Sequence, residues 1–492
     1  MKNTLYATIN NLIFDQVLFS SIIFIFGFLP LALFSHTIAP KAVKNIILLL
    51  FSLFFYAWGE LSMSVIMLAS ITINYVFGVL IELNDYKKLM LTLGLVLNVA
   101  LLVYYKYINF LMDNLNSVLD TFSIDSIENK EVHLPIGISF FTFQGISYIM
   151  DVYRKKAKAE YNPINIGLYI SLFPQLIAGP IVRYNTVMGQ IKSRVINWSS
   201  QIQGAQRFII GLSKKVIIAN TMAVVADSIM NSPFETLDWS AAWLGIIAYS
   251  LQIYFDFSGY SDMAIGLGKM LGFTFEENFN YPYISQSIKE FWKRWHISLS
   301  TWFRDYLYIP LGGNRKGPER MYLNLIIVFL LTGFWHGASW SFILWGLIHG
   351  AFIVLEKLGW DKILSSLPKI LQSVYCLLIV VVAWVFFRID NFSEAFQYLG
   401  LMFLPIHKLD AVGALVFLNS YEILIGIVAV VLSINFWSIL SRLETFASRN
   451  IRGSIYLFVK DSFVWIILVL SFLYCASEIA AGTYNPFIYF RF

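Results

Sequence analysis

The segment Thr332-Gly333-Phe334-Trp335-His336-Gly337-Ala338-Ser339-Trp340 sits inside a run of about 35 uncharged residues, Met321 to Leu355, which also holds His349. One membrane crossing takes ~20 apolar residues, so the run is too long for one and short for two. An ionisable group costs several kcal/mol in hydrocarbon, so a histidine here is a functional-site hypothesis by default. His336 is flanked by Trp335 and Trp340, with Gly337 leaving its ring open to close approach. The alternative is a buried structural histidine bonded to a carbonyl. His349 follows thirteen residues later, ~20 Å away along a continuous helix, and is expected to be a packing or interfacial residue.

The rest of the chain agrees with a membrane setting. It is 58% hydrophobic and 13% charged, against roughly a quarter charged in soluble domains. Uncharged runs recur at Gln16–Ser35, Ser62–Ile81, Leu89–Tyr105, Leu134–Met150, Pro163–Val182, Ile370–Phe387, Ile423–Ser441 and Ser462–Ser477. The pattern is that of an all-α polytopic membrane protein, one integral membrane domain over 1–492, with about 11–12 membrane segments, some of them re-entrant. The first apolar run has the length of a retained span rather than a cleaved signal. Cys376 and Cys475 lie in apolar runs and read as small hydrophobes. No metal-ligand spacing, phosphate loop or nucleophile elbow occurs, and the net charge of +5 comes from membrane-flanking residues rather than a nucleic-acid stripe.

Basic connections mark the cytoplasmic side. They include Pro40–Lys44, Arg154–Lys158, Lys192–Arg207, Lys289–Arg320, Lys357–Lys369 and Arg442–Arg452, alternating with the acidic or neutral Asp113–His133, Asn231–Ser240 and Asp390–Ser420. The alternation works if Pro163–Val182, broken by Pro174 and Gly179-Pro180, dips in and returns to the same face. The block Lys289–Arg320 is then cytoplasmic.

That block carries a second histidine. On a continuous helix Trp292, Trp295, Leu299, Trp302, Phe303 and Tyr306 share one face, with His296 at its edge and Lys293, Arg294, Thr301, Arg304 and Asp305 pointing away. This reads either as an interfacial amphipathic helix with a satisfied histidine, or as a wall bringing His296 into one cavity with His336 while Lys and Arg attract an anionic nucleotide or pantetheine phosphate. A third cluster, Asp256 to Asp262, has carboxylates six apart with Ser258-Gly259 between them, which suggests a helix break or cap. Structural polar packing and lining of the reaction cavity are both open for it.

Taken together, these pieces resemble the membrane-bound O-acyltransferase (MBOAT) family, in the bacterial branch that contains the alginate O-acetylation proteins. The similarity runs from Phe19-Ser20-Ser21 and Phe55-Tyr56-Ala57-Trp58-Gly59 through Leu134–Phe143, Gln175–Ile181, Asp256–Asp262 and Phe291–Gly313 to Phe334-Trp335-His336-Gly337 and Phe487-Ile488-Tyr489-Phe490. The resemblance implies helices around a central tunnel, His336 as the catalytic base and His296 as a second tunnel histidine that orients or polarises the donor carbonyl. Lys293, Arg294, Arg304, Trp292, Trp295 and Trp335 would then hold the donor. It further implies acetyl-CoA as a cytosolic donor with no permanently bound cofactor, a bacterial inner-membrane location, and an extracytoplasmic SGNH-type acetyltransferase partner acting on a polysaccharide. Alternatives are D-alanyl transfer to teichoic acid, or a non-catalytic acyl transporter or scaffold.

Overall fold

The computed structural model describes residues 18–404, 411–434 and 453–488. The basic connection Arg442–Arg452, the end of the Ile423–Ser441 run, Gln16 and the terminal Tyr489-Phe490 lie outside the described residues. Among the described residues the fold is helical, and its β-type pairing is one isolated bridge between Leu237 and Val412. Among the described residues seven helices are long and apolar enough to cross a membrane, and two shorter apolar ones, Phe24–Ile38 and Ser420–Ser433, accompany them. The protein is an integral membrane protein. The chain divides into two compact units, one built from the described residues up to 205 with 264–276, the other from 206–263 with 277–488.

In the first unit, α1 (Ser64–Leu83), α2 (Lys87–Thr121) and α3 (Ile138–Tyr153) pack around buried amides. Asn74 and Asn98 each donate to the other's carbonyl oxygen, at 3.0 and 3.1 Å. Such reciprocal bonding satisfies both amides where water is excluded. The run Pro163–Val182 is interrupted, as its prolines require. The helix α4 (Pro163–Ser171) stops at Leu172, which is non-helical, and a short turn Phe173–Leu176 follows. The freed groups find partners in the protein: the Phe173 amide donates to Ser52 Oγ at 3.1 Å, and Gln175 donates to the Tyr169 carbonyl at 2.6 Å.

In the second unit, the parts of α5 (Trp198–Met230) and α6 (Trp239–Met270) that lie within residues 206–263 cross each other. A Cβ on Gly211 would lie 2.5 Å from the Gly259 carbonyl oxygen, and one on Gly259 would lie 2.8 Å from that of Gly211. The expected break at Ser258-Gly259 is therefore absent. The glycine permits backbone contact with α5 instead, and α6 runs through unbroken. The carboxylates of this segment are tied into ion pairs. Asp256 meets Lys215 at 2.9 Å, both almost fully buried, and accepts from the Ile488 amide at 2.9 Å. Asp262 pairs with Arg207 at 2.6 Å and Lys214 at 2.7 Å. Lys215 also donates to Asn220 and to the Pro486 carbonyl, so the segment 484–488 is threaded onto α5 and α6.

The site elements follow: α7 (Ile288–Arg294), α8 (Ile297–Phe303), α9 (Pro318–His336), α10 (Trp340–Leu355) and α11 (Lys369–Arg388). The long uncharged run is a hairpin. It turns at Gly337-Ala338-Ser339, where Ser339 caps α10 by accepting from the Phe342 amide. The two arms touch backbone to backbone: a Cβ on Gly333 would meet the Phe342 oxygen at 2.3 Å, and one on Gly346 the Phe329 oxygen at 2.3 Å.

Candidate active site

His336 is the last residue of α9 and is 2% exposed. Its ring centre lies 5.0 Å from that of Trp335, 5.1 Å from Trp345 and 5.3 Å from Phe387. Trp340, the expected flanking ring, is instead half exposed. The turn at Gly337–Ser339 resets the helical phase, and Trp345 takes that place. Gly337 makes room for a neighbour, as its sequence context suggested, but the neighbour is Phe342: a Cβ there would sit 2.2 Å from that ring.

The same hairpin overturns the expected isolation of His349. Folding α10 back along α9 places Trp345 between the two histidines, 5.1 Å from each. His349 also packs edge-on against Trp292 at 5.3 Å. It belongs to the aromatic cluster that surrounds His336.

His296 is not on a continuous amphipathic helix. The expected helix is broken after Arg294, with Trp295 extended and His296 left-handed at φ 44°, ψ 55°. A left-handed non-glycine residue costs about 1–3 kcal/mol and persists only where its surroundings enforce it. Here the enforcement comes from the extended segment before α7. The Ile297 amide donates to the Asn278 carbonyl at 2.9 Å, and the Asn280 amide to the Arg294 carbonyl at 2.9 Å. The break turns His296 inward to full burial, edge-on to Phe257 at 4.6 Å. Burial pushes its pKa down to about 3, so the ring is neutral at physiological pH. The ring centres of His296 and His336 are 6.4 Å apart. That gap exceeds the reach of a direct nitrogen-to-nitrogen hydrogen bond, ~2.9 Å between atoms.

Beside this pair lies a cavity of about 270 Å³. Its polar lining includes Lys289, Lys293, Arg304 and Lys357, with Ser300 and the ring of Trp292. Neither histidine lines it. Trp292 forms the boundary, contacting Trp345 at 5.7 Å as well as His349. Of the residues expected to hold a donor, Lys293, Arg304 and Trp292 line this cavity. Arg294 is turned to Glu290 at 2.8 Å. Trp295 is stacked against Phe291 at 5.6 Å and packed on Trp384 at 5.1 Å. Trp335 stands beside both histidines, 6.2 Å from His296. Lys289 opens the expected basic block and Lys357 opens the next basic connection, and both escape a reading confined to the aromatic stretch Trp292–Tyr306. Trp345 and Phe387 carry no local mark of their role, since apolar helices place many such rings in cores.

The sequence of this helical membrane protein matches a family model. The model of the MBOAT, membrane-bound O-acyltransferase family covers residues 85–392, and the chain belongs to this family and is an O-acyltransferase. It is 44% identical over 391 residues to the probable alginate O-acetylase AlgI of Azotobacter vinelandii, covering 79% of this chain and 78% of that one. The corresponding protein of Pseudomonas putida is 40% identical over 494 residues, covering 97% of this chain and 100% of its own length. A peptidoglycan O-acetyltransferase of Helicobacter pylori is 39% identical over 421 residues, covering 78% and 79% of the two chains.

Proposed function

We propose that the protein moves an acetyl group from cytosolic acetyl-CoA to an extracytoplasmic acceptor in a bacterial inner membrane, with His336 as general base. The observation that carries this reading is the pairing of two buried histidines, 6.4 Å apart, beside a cavity with four basic side chains on its wall. Lys289, Lys293 and Lys357 supply charge for the phosphates of the donor, with Arg304 held beside them by Asp305 at 2.7 Å. Trp292 lines that cavity and packs on Trp345, which touches His336, so the acyl end of the donor is directed to the pair past these rings. A neutral imidazole at His336 takes the acceptor's hydroxyl proton, the new ester C–O bond forms, the thioester C–S bond breaks, and the thiol leaves with the proton. The ester formed at His336 is on an immediate acceptor hydroxyl, from which a secreted acetyltransferase of SGNH type passes the acetyl group to a polysaccharide hydroxyl. The printed functions of the relatives, O-acetylation of alginate and of peptidoglycan, support this class of acceptor.

Purified protein given labelled acetyl-CoA and a hydroxyl acceptor should release free CoA, and His336→Gln should not. Labelled acetyl-CoA passing across proteoliposomes with its thioester intact would favour an acyl transporter instead. Donor entry also requires the cavity to face the cytoplasm. Asn314 lines it and is exposed, while both native cysteines are buried. A cysteine introduced by Asn314→Cys should therefore resist a membrane-impermeant thiol reagent in intact cells and react in inverted vesicles. Labelling from outside would reverse the topology and exclude cytosolic donor entry.

A further inference from the structure

The polar contacts of His296 decide which of its nitrogens carries the proton. Asn278, on the extended segment between α6 and α7, places its carboxamide oxygen 3.1 Å from the Ser298 amide, 2.9 Å from Ser298 Oγ and 3.2 Å from His296 Nδ1. A backbone N–H can only donate, so the carboxamide atom facing Ser298 is the oxygen. Its other end agrees: the Asn278 NH2 donates to Ser261 Oγ on α6 at 3.1 Å. An amide oxygen only accepts, so His296 Nδ1 is the donor in its bond to Asn278; the Ser298 hydroxyl, 3.5 Å from the same Nδ1, gives its proton to the nearer carboxamide oxygen at 2.9 Å. The buried neutral ring then carries its lone pair on Nε2.

We propose that Asn278 is the positioning residue of this site, holding His296 as the Nδ1–H tautomer so that the ring meets substrate as a hydrogen-bond acceptor through Nε2. This rests on the reading that transfer occurs at the histidine pair. It replaces the expected role of His296 as a polariser of the donor carbonyl, because a lone-pair nitrogen cannot donate to a carbonyl oxygen. The group it holds is an N–H or O–H of the donor or the acceptor. The assignment belongs to the geometry of three segments: Ser261 orients the carboxamide, Asn278 orients the ring, and the left-handed turn brings the ring to them. Asp256 and Asp262 on α6 are engaged by Lys215 and by Arg207 and Lys214, and the facing titratable ring is His336.

The test uses the full-length protein in cells lacking the native gene, reading polysaccharide acetyl ester per unit of membrane-inserted protein. Asn278→Ala should lower the transfer rate about 10²-fold, as when a catalytic imidazole loses its tautomer or orientation. Asn278→Asp keeps an acceptor oxygen against Nδ1–H and should restore most of the ester. Nitrogen-15 solid-state NMR of histidine-labelled wild-type protein should show His296 protonated at Nδ1, with its resonance identified by loss in His296→Gln. Wild-type ester content in Asn278→Ala would overturn the proposal, as would an Asn278→Asp variant no better than Asn278→Ala at equal protein level. A proton on Nε2 in the NMR spectrum would overturn it even where neither variant accumulates. His296→Ala run alongside separates the two claims: full ester content there sinks the histidine-pair reading itself, whereas its loss with Asn278→Ala unaffected sinks only the role of Asn278.

Discussion

Replacing His336 by alanine or glutamine is expected to lower polysaccharide acyl ester to near background, with the protein still in the membrane. Loss of a general base costs ~10²–10⁴-fold in rate. The structural penalty falls on folding rather than on the reaction, and it differs between the two variants. Alanine leaves a void among Trp335, Trp345 and Phe387, which costs a few kcal/mol at most, on the order of other large-to-small core changes. Glutamine retains most of the volume and keeps a polar group, but cannot take up the hydroxyl proton. Activity that falls equally in both variants, at equal membrane level, follows from chemistry rather than packing. Normal ester content in either one would end the assignment of His336 as base and favour a scaffold whose partner performs the transfer.

The largest loss of stability should come from breaking the Asp256–Lys215 pair on one side. Both side chains are 2% exposed and lie 2.9 Å apart. Removing one partner of a buried ion pair leaves an uncompensated charge and costs about 3–5 kcal/mol. Asp256→Leu should therefore melt well below wild type in detergent, followed by fluorescence-detected size exclusion. It also removes the acceptor for the Ile488 amide. Asp256→Leu combined with Lys215→Met should recover most of the lost thermal stability, because no charge is then stranded. A double variant as unstable as the single one would mean that the pair acts chiefly by anchoring the 484–488 segment rather than by balancing charge.

Both histidines could be found in the sequence because each is chemically out of place, one in an uncharged run and one among tryptophans and arginines. The helical character and the broken Pro163–Val182 run were equally legible, since apolar length and proline position act locally. What failed was anything dependent on helical phase across a break. A helix drawn through Gly337–Ser339 sets Trp340 beside His336 and sends His349 away; the hairpin does the reverse for both. One drawn through Trp295-His296 leaves His296 at the edge of an aromatic face, whereas the left-handed turn buries it. Asn278 gave no signal at all. It reaches His296 across 18 residues of sequence through a pairing of extended segments, and no periodic pattern encodes such a contact.

The bond between Ile488 and Asp256 spans 232 positions of sequence, and this has a consequence for how the protein is made. Translation delivers α5 and α6 to the membrane long before residues 484–488 emerge, so Asp256 and Lys215 must wait with part of their hydrogen-bonding capacity unfilled. The nascent bundle is thus marked as immature until its late segment threads home. A chain that stalls before that point keeps a buried polar defect, and the arrival of residues 484–488 is what conceals it.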